Sequence, residues 1–274
     1  MSKRILLTGC GSGIGRAAAR ELIGRGHEVV VTDRAEGNVA DLAGPDGQEP
    51  AARFQLDVTV PADITRVREA AGPVDVLVNN AGMGLLLPVE LAEVDLVRRA
   101  FEVNVLGALA MSQAFLPAMR ERRSGRIVAV SSVAARRVRP MTGIYGATKH
   151  ALEAMLEALR YEVRLFGVDV VVVEPGWVDT DFGRNRLGAG VKVGAPYDVI
   201  VRRARRFAED AGATPQPVRE VAAAIADVVE ADTPPFRWPT SAGASSMIDQ
   251  RRVLTDEAYE ASVMRILCPD EPRR

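Results

Sequence analysis

Short runs of branched aliphatic residues recur along this chain, each followed by a longer stretch with helical character, and that alternation limits the folds open to it. Arg4 to Thr8, Glu28 to Thr32, Phe54 to Val58, Val74 to Val78, Arg126 to Ser131 and Asp169 to Glu174 read as strands, with Phe236 to Trp238 as a last one. Most of these runs are continuously apolar, the pattern of strands covered on both faces. Joined by helices, such strands build an α/β fold: a single doubly wound parallel sheet with helices on both sides. Helices are expected from Arg16 to Gly26, over 93–121, over 143–166 as far as Gly167, from Pro217 to Glu230, and over 255–267. No composition break or internal repeat divides the chain. All 274 residues are therefore expected in one domain, with an excursion over the sheet at about 181–216 and a C-terminal extension at about 240–274.

Charge and cysteine content narrow the partners. With 35 basic and 36 acidic residues the net charge is −1, so no global field recruits nucleic acid or an anionic membrane. The first apolar run is too short for a secretion signal or a membrane span. Cys10 and Cys268 lack the spacing of metal ligands, and as free thiols they fit a reducing compartment. A cytoplasmic protein is the expectation. His27 and His150 have no neighbour of metal-site or triad type and are assigned to structure, so no metal is expected.

Two local patterns carry chemistry. Between the first strand and the first helix lies Thr8-Gly9-Cys10-Gly11-Ser12-Gly13-Ile14-Gly15. Glycines at 9, 13 and 15 let the backbone approach a pyrophosphate, and the helix N-terminus beyond them offers unpaired N–H groups and a favourable dipole. Asp33 ends the second strand eighteen residues after Gly15, where a carboxylate accepts from a ribose 2′-OH and repels a 2′-phosphate. The neighbouring Arg34 could pair with that phosphate. NAD is therefore favoured, and NADP stays open.

The second pattern is Tyr145-Gly146-Ala147-Thr148-Lys149, thirteen residues beyond Ser132. At i and i+4 on a helix, phenol and ammonium are neighbours, and a cation there pulls a phenol's pKa down. Only Lys3, Lys149 and Lys192 are lysines among the 35 basic residues, so a lysine here points to a need for a compact point charge.

These motifs occur in register with Asp57-Val58, Asn79-Asn80-Ala81-Gly82, Asn104 and Pro175-Gly176-Trp177-Val178-Asp179-Thr180. In that order the chain resembles the classical short-chain dehydrogenase/reductase family, over roughly residues 4–180. The resemblance implies a Rossmann fold and an oxidoreductase that moves a hydride between a nicotinamide and a secondary alcohol or ketone. It implies that Tyr145 is the acid/base, that Lys149 lowers its pKa and holds the nicotinamide ribose, and that Ser132 binds the substrate oxygen. It further implies that Asn104 interrupts its helix and holds a water in a proton relay. Gly9, Ser12, Gly13, Ile14 and Gly15 would hold the phosphates and Asp33 and Arg34 the ribose. Asp57 and Val58 would border the adenine, and Asn80, Ala81 and Gly82 would line the cofactor beside the fourth strand. Pro175, Gly176, Val178 and Thr180 would meet the nicotinamide end.

Leu85, Leu86, Leu87, Met141, Trp177, Leu187, Val191, Val193 and Tyr197 favour a hydrophobic or cyclic, steroid-like substrate. Arg136, Arg137, Arg139, Arg184 and Arg186 read mainly as a solvated face, one of them being available for a substrate anion. Arg202, Arg203, Arg205 and Arg206 read as a helix exterior. Pro235-Phe236-Arg237-Trp238-Pro239 is similar to the branch with hydroxysteroid and retinol dehydrogenases. In this family the helices of 93–121 and 143–166 commonly pair between subunits, which makes a homodimer the first expectation and a homotetramer the second. The competing reading is a non-catalytic NAD(P)-sensing protein on the same fold.

Overall fold

The protein is described here from a computed structural model that covers residues 1–178, 193–194, 196–203 and 215–268. Seven parallel strands form one sheet: β1 (Arg4–Thr8), β2 (Glu28–Asp33), β3 (Ala52–Gln55), β4 (Val76–Asn79), β5 (Gly125–Val130), β6 (Val168–Glu174) and β7 (Arg237–Pro239). Their order is β3-β2-β1-β4-β5-β6-β7. The order reverses between β1 and β4, which pair from Ile5↔Val76 to Leu7↔Val78, and a crevice opens beyond the C-terminal ends of these strands.

Alternate strand residues feed two apolar layers. Ile5, Leu7, Val29, Val31, Val171 and Val173 pack with α1 (Gly13–Gly24) and the helix Val218–Glu230, here α6. Leu6, Val30, Leu77, Ile127, Val170 and Val172 face the other layer, built on α2 (Pro61–Ala71), α4 (Ala108–Glu121) and α5 (Gly143–Val163). Burial on both faces is why the strands read as unbroken apolar runs.

Several boundaries differ from the sequence expectation. β3 runs Ala52–Gln55 instead of reaching Val58, because Asp57 N–H donates to Asp63 Oδ2 (3.0 Å) and turns the chain toward α2. The expected helix over 93–121 is three pieces: α3 (Val94–Phe101), a wide π-helical stretch at Glu102–Gly107, and α4. Neither α2 nor α7 (Ala242–Val253) was delimited by the sequence patterns, whereas α8 (Asp256–Leu267) falls where a terminal helix is expected. Most of the 181–216 excursion lies outside the described residues. Among the described residues no helix is long and apolar enough to cross a membrane.

Candidate active site

The glycine turn is locked to the end of β4. Gly9 has a φ of +71°, a left-handed conformation that costs glycine nothing. Asn80 Nδ2 donates to Thr8 O (2.8 Å) and Gly9 O (3.0 Å), while the Thr8 hydroxyl oxygen accepts from the N–H groups of Asn80 (3.0 Å) and Ala81 (2.9 Å). A methyl group on Gly15 would stand 2.0 Å from Gly9 O and 2.4 Å from Asn80 Nδ2, so the first turn of α1 presses on the strand ends. Ser12, at the N-cap, is exposed and makes no side-chain bond to the helix. The N–H groups of that first turn therefore have no side-chain cap.

Asp33 stands across the turn at the end of β2. Its Oδ2 accepts from Gly11 N–H (2.9 Å), and its Oδ1 accepts from Asn38 Nδ2 (2.8 Å) and Ala35 N–H (3.3 Å). Arg34 beside it is exposed. Asp57 is committed locally, accepting from Thr59 N–H (2.9 Å) and Thr59 Oγ1 (2.6 Å). Burial pushes its pKa up, but those two bonds and the cations Arg99 and Arg34 outweigh it and hold the carboxyl below the usual range. Val58 is buried beside the π-helical stretch, where a methyl on Gly107 would meet its Cγ2 at 2.6 Å.

Ser132, Tyr145, Lys149 and Asn104 converge. Ser132 Oγ accepts from Ala134 N–H (3.1 Å), which orients the hydroxyl, and it hydrogen-bonds the Tyr145 phenol. Lys149 Nζ donates to Val130 O (2.8 Å) and lies 5.8 Å from the Tyr145 ring centroid. Asn104 sits inside the π-helical stretch with 2% exposure, so its helix is interrupted there. Its Nδ2 donates to Thr148 Oγ1 (3.0 Å), and Thr148 Oγ1 in turn donates to Tyr145 O (2.7 Å). Gly82 leaves room for this group: a methyl there would lie 3.3 Å from Asn104 Oδ1 and 3.9 Å from Lys149 Nζ.

The electrostatics differ from the sequence argument. Burial pushes the Tyr145 phenol up to about 12, with the Ser132 bond working against that, and burial brings the Lys149 ammonium down to about 8 while Glu153 opposes the fall. In the free protein desolvation sets the phenol's pKa, and Ser132 is the group that opposes it. Tyr145 therefore rests as a proton donor.

Beyond β6, Pro175 O accepts from Val133 N–H (2.9 Å), which ties the Pro175-Gly176 turn to the segment after β5. Val178 forms a parallel bridge with Gln216, whose side chain exchanges two hydrogen bonds with Thr240, at 2.8 and 2.7 Å. Thr180, Arg184, Arg186, Leu187, Val191, Arg205 and Arg206 lie outside the described residues. Leu85, Leu87 and Met141 are buried, while Trp177 is 42% exposed. Met141 has a φ of +71°, a strained conformation for a non-glycine residue, and its carbonyl accepts from Leu87 N–H (3.0 Å).

Arg136 does not belong to a solvated face: its Nε lies 3.3 Å from the buried Glu153 Oε2. Burial and the neighbouring Arg137 lower the pKa of Arg139, which likewise departs from that expectation. Arg202 does pair with Asp198 (2.8 Å) on an exposed helical turn, whereas Arg203 donates to Leu267 O. Sequence reasoning missed Thr8, Thr148 and Gln216, small polar residues whose roles depend on a partner distant in sequence. It also missed Tyr259, whose hydroxyl donates to Val138 O (2.9 Å) and fastens α8 to the segment before α5.

The family model described as short chain dehydrogenase matches residues 3–188, and the chain belongs to that family. Human retinol dehydrogenase 8 is 31% identical, over 97% of this chain and 91% of its own. Human 17-beta-hydroxysteroid dehydrogenase type 1 is 35% identical, over 86% and 74%. Among solved structures, a short-chain dehydrogenase from Streptomyces avermitilis superposes with a TM-score of 0.80 at 32% identity, covering 96% of this chain and 95% of that one. A short-chain dehydrogenase/reductase from Burkholderia phymatum, in complex with NAD, gives 0.77 at 26% identity over 100% and 98%. One from Burkholderia cenocepacia, in complex with NADP, gives 0.77 at 25% identity over 96% and 98%.

Proposed function

We propose that this protein is an NAD-dependent oxidoreductase acting on a hydrophobic secondary alcohol or its ketone, with NADP as the less favoured cofactor. The observation that carries the reading is the Ser132–Tyr145 hydrogen bond beside Lys149, at the C-terminal end of β5 and close to Gly82 after β4. The residues present fit a dinucleotide. The contact of Gly15 with Gly9 O leaves no room for a side chain, the N-terminus of α1 has no side-chain cap, and the Asp33 carboxylate stands where a ribose diol would be read. A bound nicotinamide supplies the hydride donor or acceptor.

The chain's own groups handle the proton. Ser132 positions the substrate oxygen against Tyr145, and Tyr145 gives its phenolic proton to that oxygen in reduction or takes one from the alcohol in oxidation. The Lys149 charge favours the phenolate that reduction leaves behind. Asn104 holds Met83 and Thr148 in place around the pair. Gly9, Ser12, Gly13, Ile14 and Gly15 hold the phosphates, Asp33 and Arg34 the ribose end, and Asp57 and Val58 the adenine edge. Asn80, Ala81 and Gly82, with Pro175, Gly176, Val178 and Thr180, line the remainder.

The likeness to retinol and 17-beta-hydroxysteroid dehydrogenases supports a bulky lipophilic substrate. The two cysteines, both free, support a cytoplasmic location. A groove between α4 and α5, walled by Leu109, Leu116, Met155 and Leu159, supports a homodimer with a homotetramer as its extension. One domain serves both cofactor and substrate. Tyr145→Phe should retain NADH affinity by fluorescence titration while turnover on a lipophilic secondary alcohol falls by about 1,000-fold or more. Undiminished turnover would remove Tyr145 from the chemistry.

A further inference from the structure

The three residues around the end of β5 each hold one side chain of α5. Ser132 bonds the Tyr145 phenol, Val130 O accepts from Lys149 Nζ at 2.8 Å, and Ser131 Oγ donates to Glu153 Oε1 at 2.6 Å. Tyr145, Lys149 and Glu153 follow one another at steps of four, so they lie along one stripe of the helix. The first two form the acid–base pair proposed above, and the third has no part in it.

Behind Glu153, at the end of β6, stands Glu174 with 0% exposure, and both carboxyls meet the same Arg237 Nη1. Two buried carboxylates gathered on one guanidinium repel each other, so one of them is held protonated. Glu174 Oε2 has no hydrogen-bond partner and is the site for that proton. The charged groups facing the pair come from every element packed on it. Arg136 follows β5, with Nε 3.3 Å from Glu153 Oε2. Arg237 of β7 reaches Glu153, lies 3.4 Å from Glu174 Oε1 and binds Glu157 at 3.0 Å. Lys149, His150 and Glu157 belong to α5 itself. Burial pushes both carboxyls up, and at Glu174 the charge of Glu153 adds to the rise, which reaches about 8.

We propose that Glu153 and Glu174 share one proton and act together as a positioning pair for Lys149, keeping its ammonium charged and seated on Val130 from one helical turn away. With the proton on Glu174, Glu153 is the anion that opposes the discharge of the buried lysine. Loss of the shared proton to solvent adds a second negative charge beside the first and strengthens that hold. The proposal rests on the acid–base reading of Tyr145 and Lys149.

The chain's three lysines make the test direct. In the full-length protein carrying lysine labelled with carbon-13 at Cε, the Lys149 signal is assigned by its loss in Lys149→Arg and followed by NMR against pH. Glu153→Gln should lower the Lys149 midpoint by about one unit. Glu174→Gln, whose amide keeps the donor that a protonated carboxyl supplies but cannot ionise, should lower it by less than half as much. A purely structural role would lower thermal stability in both variants without separating their lysine midpoints. An unmoved midpoint in Glu153→Gln, or an equal fall in both variants, overturns the proposal. Because the titration is read without substrate, failure here is distinct from failure of the acid–base assignment, which shows in the turnover of Tyr145→Phe.

Discussion

The side-chain amide of Asn104 grips the backbone of Met83 at both ends, with Oδ1 accepting from Met83 N–H (2.8 Å) and Nδ2 donating to Met83 O (2.9 Å). The π-helical stretch at Glu102–Gly107 carries Asn104 to that place, while the same Nδ2 reaches Thr148 on α5. One residue therefore joins the segment after β4, the kinked helix and the helix of Tyr145. Removing it in Asn104→Ala leaves the half-buried N–H and carbonyl of Met83 without this partner and takes one bond from the Thr148 hydroxyl, which keeps its bond to Tyr145 O. The expected cost is about 2 kcal/mol in urea unfolding, with a weaker NADH titration because the Asn80–Gly82 segment adjoins Met83. Stability equal to the parent would contradict the clamp.

Asp33 predicts cofactor choice. Its carboxylate is already oriented by Gly11, Ala35 and Asn38, so it meets a ribose diol without rearrangement and repels a 2′-phosphate. NADH should bind roughly tenfold or more tightly than NADPH, about 1.4 kcal/mol. Asp33→Ser should narrow that ratio. A clear preference of the parent for NADPH would reverse the assignment and give the role to Arg34.

The resting protonation state sets the pH dependence of the two directions. With the Tyr145 phenol at about 12, the protonated form dominates at neutral pH, and it is the form that ketone reduction needs. Steady-state reduction should be flat across neutral pH. Alcohol oxidation, which needs the scarce phenolate, should rise by about tenfold per pH unit over the same range. Parallel profiles for the two directions would argue against a shared Tyr145 step.

Stability should carry the mark of Glu174. Its folded pKa, about 8, lies above the ordinary carboxyl value, so between roughly pH 4.5 and 8 the unfolded chain holds fewer protons than the folded one. The stabilising contribution is full below that window and is lost as pH rises through it. Urea midpoints of the parent should fall across the window, and Glu174→Gln should flatten the fall. Equal slopes would mean that Glu174 is ionised in the folded protein.

What sequence could reach follows from the distance over which each feature is encoded. The glycine turn and the Tyr145–Lys149 pair are local patterns, readable from spacing because a turn and a helical step fix their geometry. The sheet core was legible for the same reason, since the runs from Ile5 to Leu7 and from Val170 to Val173 announce strands buried on both faces. Glu153 and Glu174 look ordinary in sequence, the one on a helix and the other ending a strand. Only the packing of α5 on β6 makes them a pair, with Arg136 and Arg237 drawn inward around them. The early end of β3 depends on one bond between Asp57 and Asp63, whereas the interruption at Asn104 follows from the family resemblance, since the pattern over 93–121 by itself reads as one helix.

The bridge between Val178 and Gln216 brings two distant points of the chain side by side. Gln216 N–H donates to Trp177 O (2.8 Å), and its side chain is tied to Thr240 just beyond β7. A single glutamine thus rivets the turn after β6 to the far edge of the sheet. The segment carrying Val178 takes its position from Thr240, a residue far along the chain, and not from its own sequence.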